Sequence, residues 1–124
     1  MALNIILVII GGGIGSVSRY LLTMLATRLF GSSFPLGTLG VNLGGCLLIG
    51  FIFSLAERGI VSPSVRLLFM TGFLGGLTTF STYALESTNF LKSMQISTAL
   101  LNIGLNNIGG IILVLTGLWL GRLI

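Results

Sequence analysis

The sequence predicts an all-α membrane protein with four transmembrane helices per chain, the third of them broken. Three observations carry that prediction: four long stretches without a charge, apolar runs that are continuous rather than alternating, and a glycine–threonine interruption in the third stretch. Hydrophobic residues make up 54% of the 124 residues and charged ones 6%, with a mean hydropathy of +1.13. A soluble domain carries about a quarter charged residues, so this chain has too few to cover itself with a hydrated surface. The length suits one domain, 1–124, without room for a second.

The charges mark the ends of the spans. Arg19 and Arg28 come first, then Glu57, Arg58 and Arg66, then Glu86 and Lys92, and finally Arg122. Between them the uncharged stretches cover 1–18, 29–56, 67–85 and 93–121. A hydrocarbon core of about 30 Å needs about 20 helical residues. Each stretch meets that length once the first takes in Arg19. The predicted spans are Leu3–Leu25, Leu36–Leu55, Val65–Phe90 and Ser97–Leu120. Unbroken apolar runs favour helices over a barrel.

No basic residue precedes the apolar run of the first span, and Arg19 stands where a small-residue cleavage site would fall. The segment therefore reads as a permanent span rather than a signal peptide. Gly11-Gly12-Gly13-Ile14-Gly15 is no dinucleotide fingerprint, because Ser16 takes the third glycine position and no strand precedes it. The second span holds the lone Cys46, read as a small packing residue. With one Cys, two acids and no His, a transition-metal site is excluded.

The third span reads Gly72-Phe73-Leu74-Gly75-Gly76-Leu77-Thr78-Thr79-Phe80-Ser81-Thr82-Tyr83. Gly costs about 1 kcal/mol relative to Ala in a helix. Two adjacent glycines before paired threonines therefore predict a break that frees carbonyls at membrane depth. Such carbonyls are tolerated only when buried in protein, facing water or holding an ion. A bare kink and an ion site both fit. Phe80, Tyr83 and Glu86 recur every three residues; taken alone, such an aromatic stripe is core filler.

Thr38 and Asn42 share one face of the second span, and Asn102 and Asn106 one face of the fourth. A membrane Asn serves as interhelical glue, contributing about 0.6–2 kcal/mol, or lines a path. Three of them in two stripes beside a broken helix favour the path. Glycine pairs four apart (Gly11 and Gly15, Gly40 and Gly44, Gly72 and Gly76, Gly117 and Gly121) predict close helix contacts.

The net charge of +4 does not imply a nucleic-acid partner, because the basic residues stand singly at span ends. One side carries Arg58, Arg66 and Arg122, and the other Arg28 and Lys92, with Arg19 added if it lies near that end. Orientation follows an excess of Lys and Arg on the cytoplasmic side. So even a balance predicts insertion both ways, and two opposite copies pairing about an axis in the membrane plane. Catalytic triads are absent without His, and the acids Glu57 and Glu86 form no pair, so an enzyme is not expected. Amides, hydroxyls and ring edges with few negative charges suit a small anion. Rival readings are a dual-topology proton-coupled exporter using Glu86 and a structural subunit without transport.

Gly12-x-x-Gly15-x-x-x-Arg19-Tyr20, Gly37-Thr38-Leu39-Gly40-Val41-Asn42-x-x-Gly45 and Gly72-Phe73-x-Gly75-Gly76-x-Thr78-Thr79-Phe80-Ser81-Thr82-Tyr83-x-x-Glu86 resemble the helix motifs of the CrcB/Fluc family of fluoride channels. The likeness runs the length of the chain. It implies a multi-pass protein of the cell inner membrane that passes fluoride passively as an antiparallel dual-topology homodimer with two pores. It also implies a structural sodium ion at the dimer centre, held by the backbone carbonyls of Gly75 and Thr78. The pore aromatics map to Phe80 and Tyr83, the pore asparagine to Asn42 with Thr38 one turn away, and the vestibule arginine to Arg19. Ser81 and Thr82 add hydroxyls, and the fourth-helix polar track maps to Asn102 and Asn106. Many members have Phe where this chain has Tyr83.

Overall fold

The computed structural model describes residues 1–124. α1 runs Ala2–Phe30 and α2 Leu36–Glu57. The third span is two helices, α3 over residues 63–77 and α4 over Phe80–Lys92. The last, α5, is Ile96–Arg122. α1, α2 and α5 are each long and apolar enough to cross a membrane. The third crossing is shared between α3 and α4.

α3 starts at Ser62, whose Oγ accepts the Val65 N–H at 3.3 Å, with Pro63 in the first helical position. Both features suit a helix start, because they satisfy or remove orphan donors. Its middle, Leu67–Leu74, has wide turns bonded to the fifth residue, and so does Leu105–Gly109 of α5. The interruption falls at Thr78 and Thr79, both extended, with ψ of 155° and 118°. Gly75 and Gly76 stay helical, so of the glycine–threonine stretch that suggested the break only the threonines leave the helix. Thr79 can leave the helix because its own side chain caps the next one: Oγ1 accepts the Thr82 N–H at 3.2 Å. Hydroxyl side chains favour such N-cap positions for that reason.

The glycines set the packing instead. A Cβ on Gly11, Gly15 or Gly76 would strike the carbonyls of Leu68, Phe73 or Gly12, so α1 and α3 run side by side in backbone contact. Gly50 and Gly117 do the same for α2 and α5, against the carbonyls of Val114 and Leu47. Small residues are what lets helices approach in lipid, where burial of apolar surface gives no drive. Gly40 and Gly44 depart from expectation. Nothing lies within 4 Å of a Cβ at either position, and both border an open apolar groove between α1 and α2.

Only 19 of the 124 residues are buried, so the bundle presents most of its apolar side chains outward. Arg58 closes one end of the α2–α5 pair, donating to the Gly121 carbonyl at 2.9 Å. Arg19 does not reach the opposite end. Its guanidinium donates to the Thr78 carbonyl at 3.0 Å, level with the break. The end charges are therefore Arg58, Arg66 and Arg122 against Arg28 and Lys92, still a small bias.

Candidate functional site

Asn42 is the centre of the polar interior. From the middle of α2 its Oδ1 accepts the Thr79 N–H at 2.8 Å, and its Nδ2 donates to the Thr79 carbonyl at 3.0 Å. One side-chain amide thus replaces the partners that an unbroken helix would have given the N–H and carbonyl of Thr79. The same Nδ2 donates to Asn106 Oδ1 at 2.9 Å. Asn106 Nδ2 donates in turn to Asn102, at 3.1 Å to Oδ1 and 2.9 Å to the carbonyl. Asn102, wholly buried, donates to Ser87 Oγ at 3.0 Å, and Ser87 donates to the Tyr83 carbonyl at 2.9 Å. Every donor in this line faces the same way, from the break on one side of the bundle to the α4–α5 hairpin.

The break lies between two open spaces. A cavity of about 630 Å³ is bordered by Arg19, Thr38, Thr82 and Glu86, among others. A second, of about 310 Å³, is bordered by Asn42, Gly75, Phe80, Tyr83, Asn106 and Asn107 among others, and has no charged side chain in its wall. Thr79 belongs to both walls. Its Oγ1 donates to Thr82 Oγ1 at 3.0 Å and lies 3.4 Å from Ser81 Oγ, which groups three hydroxyls at the junction.

On the first cavity, Thr38 Oγ1 donates to Glu86 Oε1 at 2.6 Å, and Glu86 Oε2 is buried without a partner. Beside the second, the Phe80 and Tyr83 rings meet edge to face at 5.3 Å and 69°. Phe80 is 75% exposed, Tyr83 9%. Asn107 is the site's one member that sequence reasoning did not single out; Thr79 was read as part of the break and Glu86 as the acid ending the aromatic stripe. Asn107 donates to the Tyr83 hydroxyl at 2.7 Å, although it lies off the Asn102–Asn106 stripe. Across the wide turn at Leu105–Gly109, half-buried Asn106 reaches Asn42 while its exposed neighbour Asn107 reaches Tyr83, and only the Asn-Asn pair itself hinted at that.

Gly75 and Thr78 bear on the expected sodium ion. In an unbroken helix the Thr79 N–H would serve the Gly75 carbonyl and the Thr82 N–H that of Thr78. Here those hydrogens go to Asn42 and to Thr79 Oγ1. Two carbonyl oxygens are thereby released at membrane depth, the hard donors that such a cation prefers. Arg19 already brings a positive group to the Thr78 carbonyl, which has a second lone pair. The residues fit the ion.

Long apolar helices, a broken crossing between two cavities and a line of amides running from the break define a multi-pass helical membrane protein with a polar interior. The chain belongs to the CrcB family: the profile described as CrcB-like protein, Camphor Resistance (CrcB), matches residues 6–118. It is 49% identical over 115 residues to the fluoride-specific ion channel FluC of Maridesulfovibrio salexigens, covering 92% of this chain and 91% of that one. Fluoride-specific ion channel FluC 1 of Moorella thermoacetica is 44% identical over 92% of this chain and 82% of its own. FluC of Shewanella amazonensis is 43% identical over 96% and 93%. The family is one of ion channels, not of enzymes.

Proposed function

We propose that this chain is a fluoride-selective channel of the cell inner membrane, working as an antiparallel homodimer with two pores and a structural sodium ion between the copies. One observation carries the reading: the Asn42-clamped break at Thr79, with a donor-lined cavity on each side of it. The names of the relatives supply the ion.

Fluoride is small and strongly hydrated, so its path must offer donors as water leaves. The amide hydrogens of Asn42 and Asn106 are bound to oxygens of the chain itself. They are never bare, which avoids the cost of unsatisfied buried donors. An arriving anion takes the place of an amide oxygen and inherits a ready donor. The hydroxyls of Ser81 and Thr82 add O–H groups at the junction. Ring edges carry the positive part of the aromatic quadrupole, so Phe80 can meet an anion edge-on. Several weak contacts in series let the ion leave again. Arg19 and a sodium held by the Gly75 and Thr78 carbonyls add positive potential where the dielectric is low.

Pairing of copies is supported by three features of the single chain. Phe80 stands mostly uncovered, the Gly40–Gly44 groove is open, and the end charges are nearly balanced. The deciding experiment is fluoride release from liposomes holding the purified protein. Rapid discharge of a fluoride gradient, with chloride retained as in empty vesicles, is expected; no discharge beyond that of bare lipid defeats the reading.

A further inference from the structure

We infer that the Tyr83 hydroxyl, aimed by Asn107, is an anion-binding donor that adds a direct fluoride contact to the cavity beside Phe80. This rests on the fluoride reading above. The phenol oxygen accepts Asn107 Nδ2–H at 2.7 Å. The same Nδ2 donates to the Ile103 carbonyl at 2.8 Å. That second bond fixes which way the amide faces, since a carbonyl oxygen accepts only an N–H. The phenol therefore meets a donor, and its own hydrogen must point elsewhere.

No acceptor in the chain takes that hydrogen, for Asn107 is the only hydrogen-bond partner of the Tyr83 hydroxyl. A buried donor left this way costs free energy unless something in the adjoining space accepts from it. The space is the cavity of about 310 Å³, whose wall includes Tyr83, Asn107, Phe80 and Asn42. Its wall has no charged side chain, and the amides of Asn42, Asn106 and Asn107 with the Phe80 ring give it groups that can meet an anion, beside the Gly75 and Thr78 backbone. Accepting from Asn107 also polarises the phenol and makes its O–H a stronger donor. A hydrogen bond to an ion is the stronger kind, so the contact should register in binding.

Asn107 is then a positioning residue, acting only through Tyr83. The wide turn at Leu105–Gly109 makes this possible: Asn106 serves Asn42 while its neighbour serves Tyr83.

The test measures fluoride flux from liposomes as a function of fluoride concentration for wild type, Tyr83→Phe, Asn107→Leu and the double variant. Tyr83→Phe should raise the half-saturating fluoride concentration at least about tenfold. Asn107→Leu should raise it less, and should have no effect in the Tyr83→Phe background. Equal half-saturation in wild type and Tyr83→Phe overturns the inference and leaves the channel standing. A wild type without fluoride flux removes both. A second readout does not depend on any variant conducting. With ring-labelled tyrosine, the Cζ resonance that Tyr83→Phe eliminates should shift in wild type on adding fluoride and not chloride; a resonance unmoved by fluoride means water alone occupies the cavity, and the inference falls.

Discussion

Asn42 binds both backbone polar groups of Thr79 across 37 residues of sequence, taking its N–H at 2.8 Å and giving a hydrogen to its carbonyl at 3.0 Å. The helix break is thus a paired structure rather than a loose one. Whatever crosses between the two cavities passes a backbone held by a single amide. That amide is also the first link of the line to Asn106, Asn102 and Ser87.

Replacing Asn42 should therefore separate stability from conduction. Asn42→Leu strands the N–H and carbonyl of Thr79, at about 1–3 kcal/mol for each. Detergent-solubilised protein should unfold at a clearly lower temperature, and fluoride flux should drop below a tenth of wild type. Asn42→Asp keeps an oxygen for the Thr79 N–H but removes the donors and adds negative charge. It should stay closer to wild type in stability and carry as little fluoride as the Leu variant. Wild-type flux through Asn42→Asp would show that this amide does not face the ion.

The spans, the broken third crossing and the inward stripes were legible in the sequence because each has a local cause. Uncharged length marks a span, and residues four apart share a face. Long-range geometry set what was not legible. The glycine pair and the paired threonines together marked the break, and it falls on Thr78 and Thr79 alone: Gly76 packs against Gly12 within the helix, and the Thr79 hydroxyl caps the helix that follows. Arg19 looked like an end charge until α1 and α3 packed closely enough for it to reach Thr78. Asn107 was invisible to a 3.6-residue pattern because a wide turn changes the register.

The glycines of α1 give a paired prediction. A Cβ at Gly15 meets the Phe73 backbone, whereas one at Gly13 meets nothing within 4 Å. Gly15→Ala should force α1 away from α3, lowering thermal stability and breaking the Arg19–Thr78 contact. Gly13→Ala should be neutral or stabilising by up to about 1 kcal/mol, the helix preference of Ala over Gly. Thermal unfolding of the two variants side by side checks this, and equal losses would remove the close-contact argument.

Gly75→Val addresses the proposed sodium ion. Within the single chain a Cβ there comes no nearer than 3.9 Å to the Met70 carbonyl, so the fold should tolerate substitution. Crowding should arise only if an ion and a second copy lie beside the freed carbonyl. Fluoride flux of the wild type should then need sodium, and Gly75→Val should weaken or abolish that need with secondary structure intact. Flux equally indifferent to sodium in both proteins would remove the ion from the account.

Glu86 distinguishes the channel from a proton-coupled exporter. An exporter of that kind needs a membrane carboxylate that gains and loses a proton in each cycle. Glu86 is the only acid away from the end of a spanning helix, with Oε1 bound by Thr38 at 2.6 Å and Oε2 buried without a partner. Glu86→Gln preserves the shape and an oxygen that can still accept from Thr38, and it removes the exchangeable proton. A passive channel should keep fluoride flux within a few fold of wild type, with no dependence on an imposed proton gradient. Thr38→Val should do more harm, because it strands both oxygens of the acid. Fluoride release measured with and without a proton gradient decides the matter: transport that vanishes in Glu86→Gln and follows the proton gradient in wild type would assign the protein to the exporters.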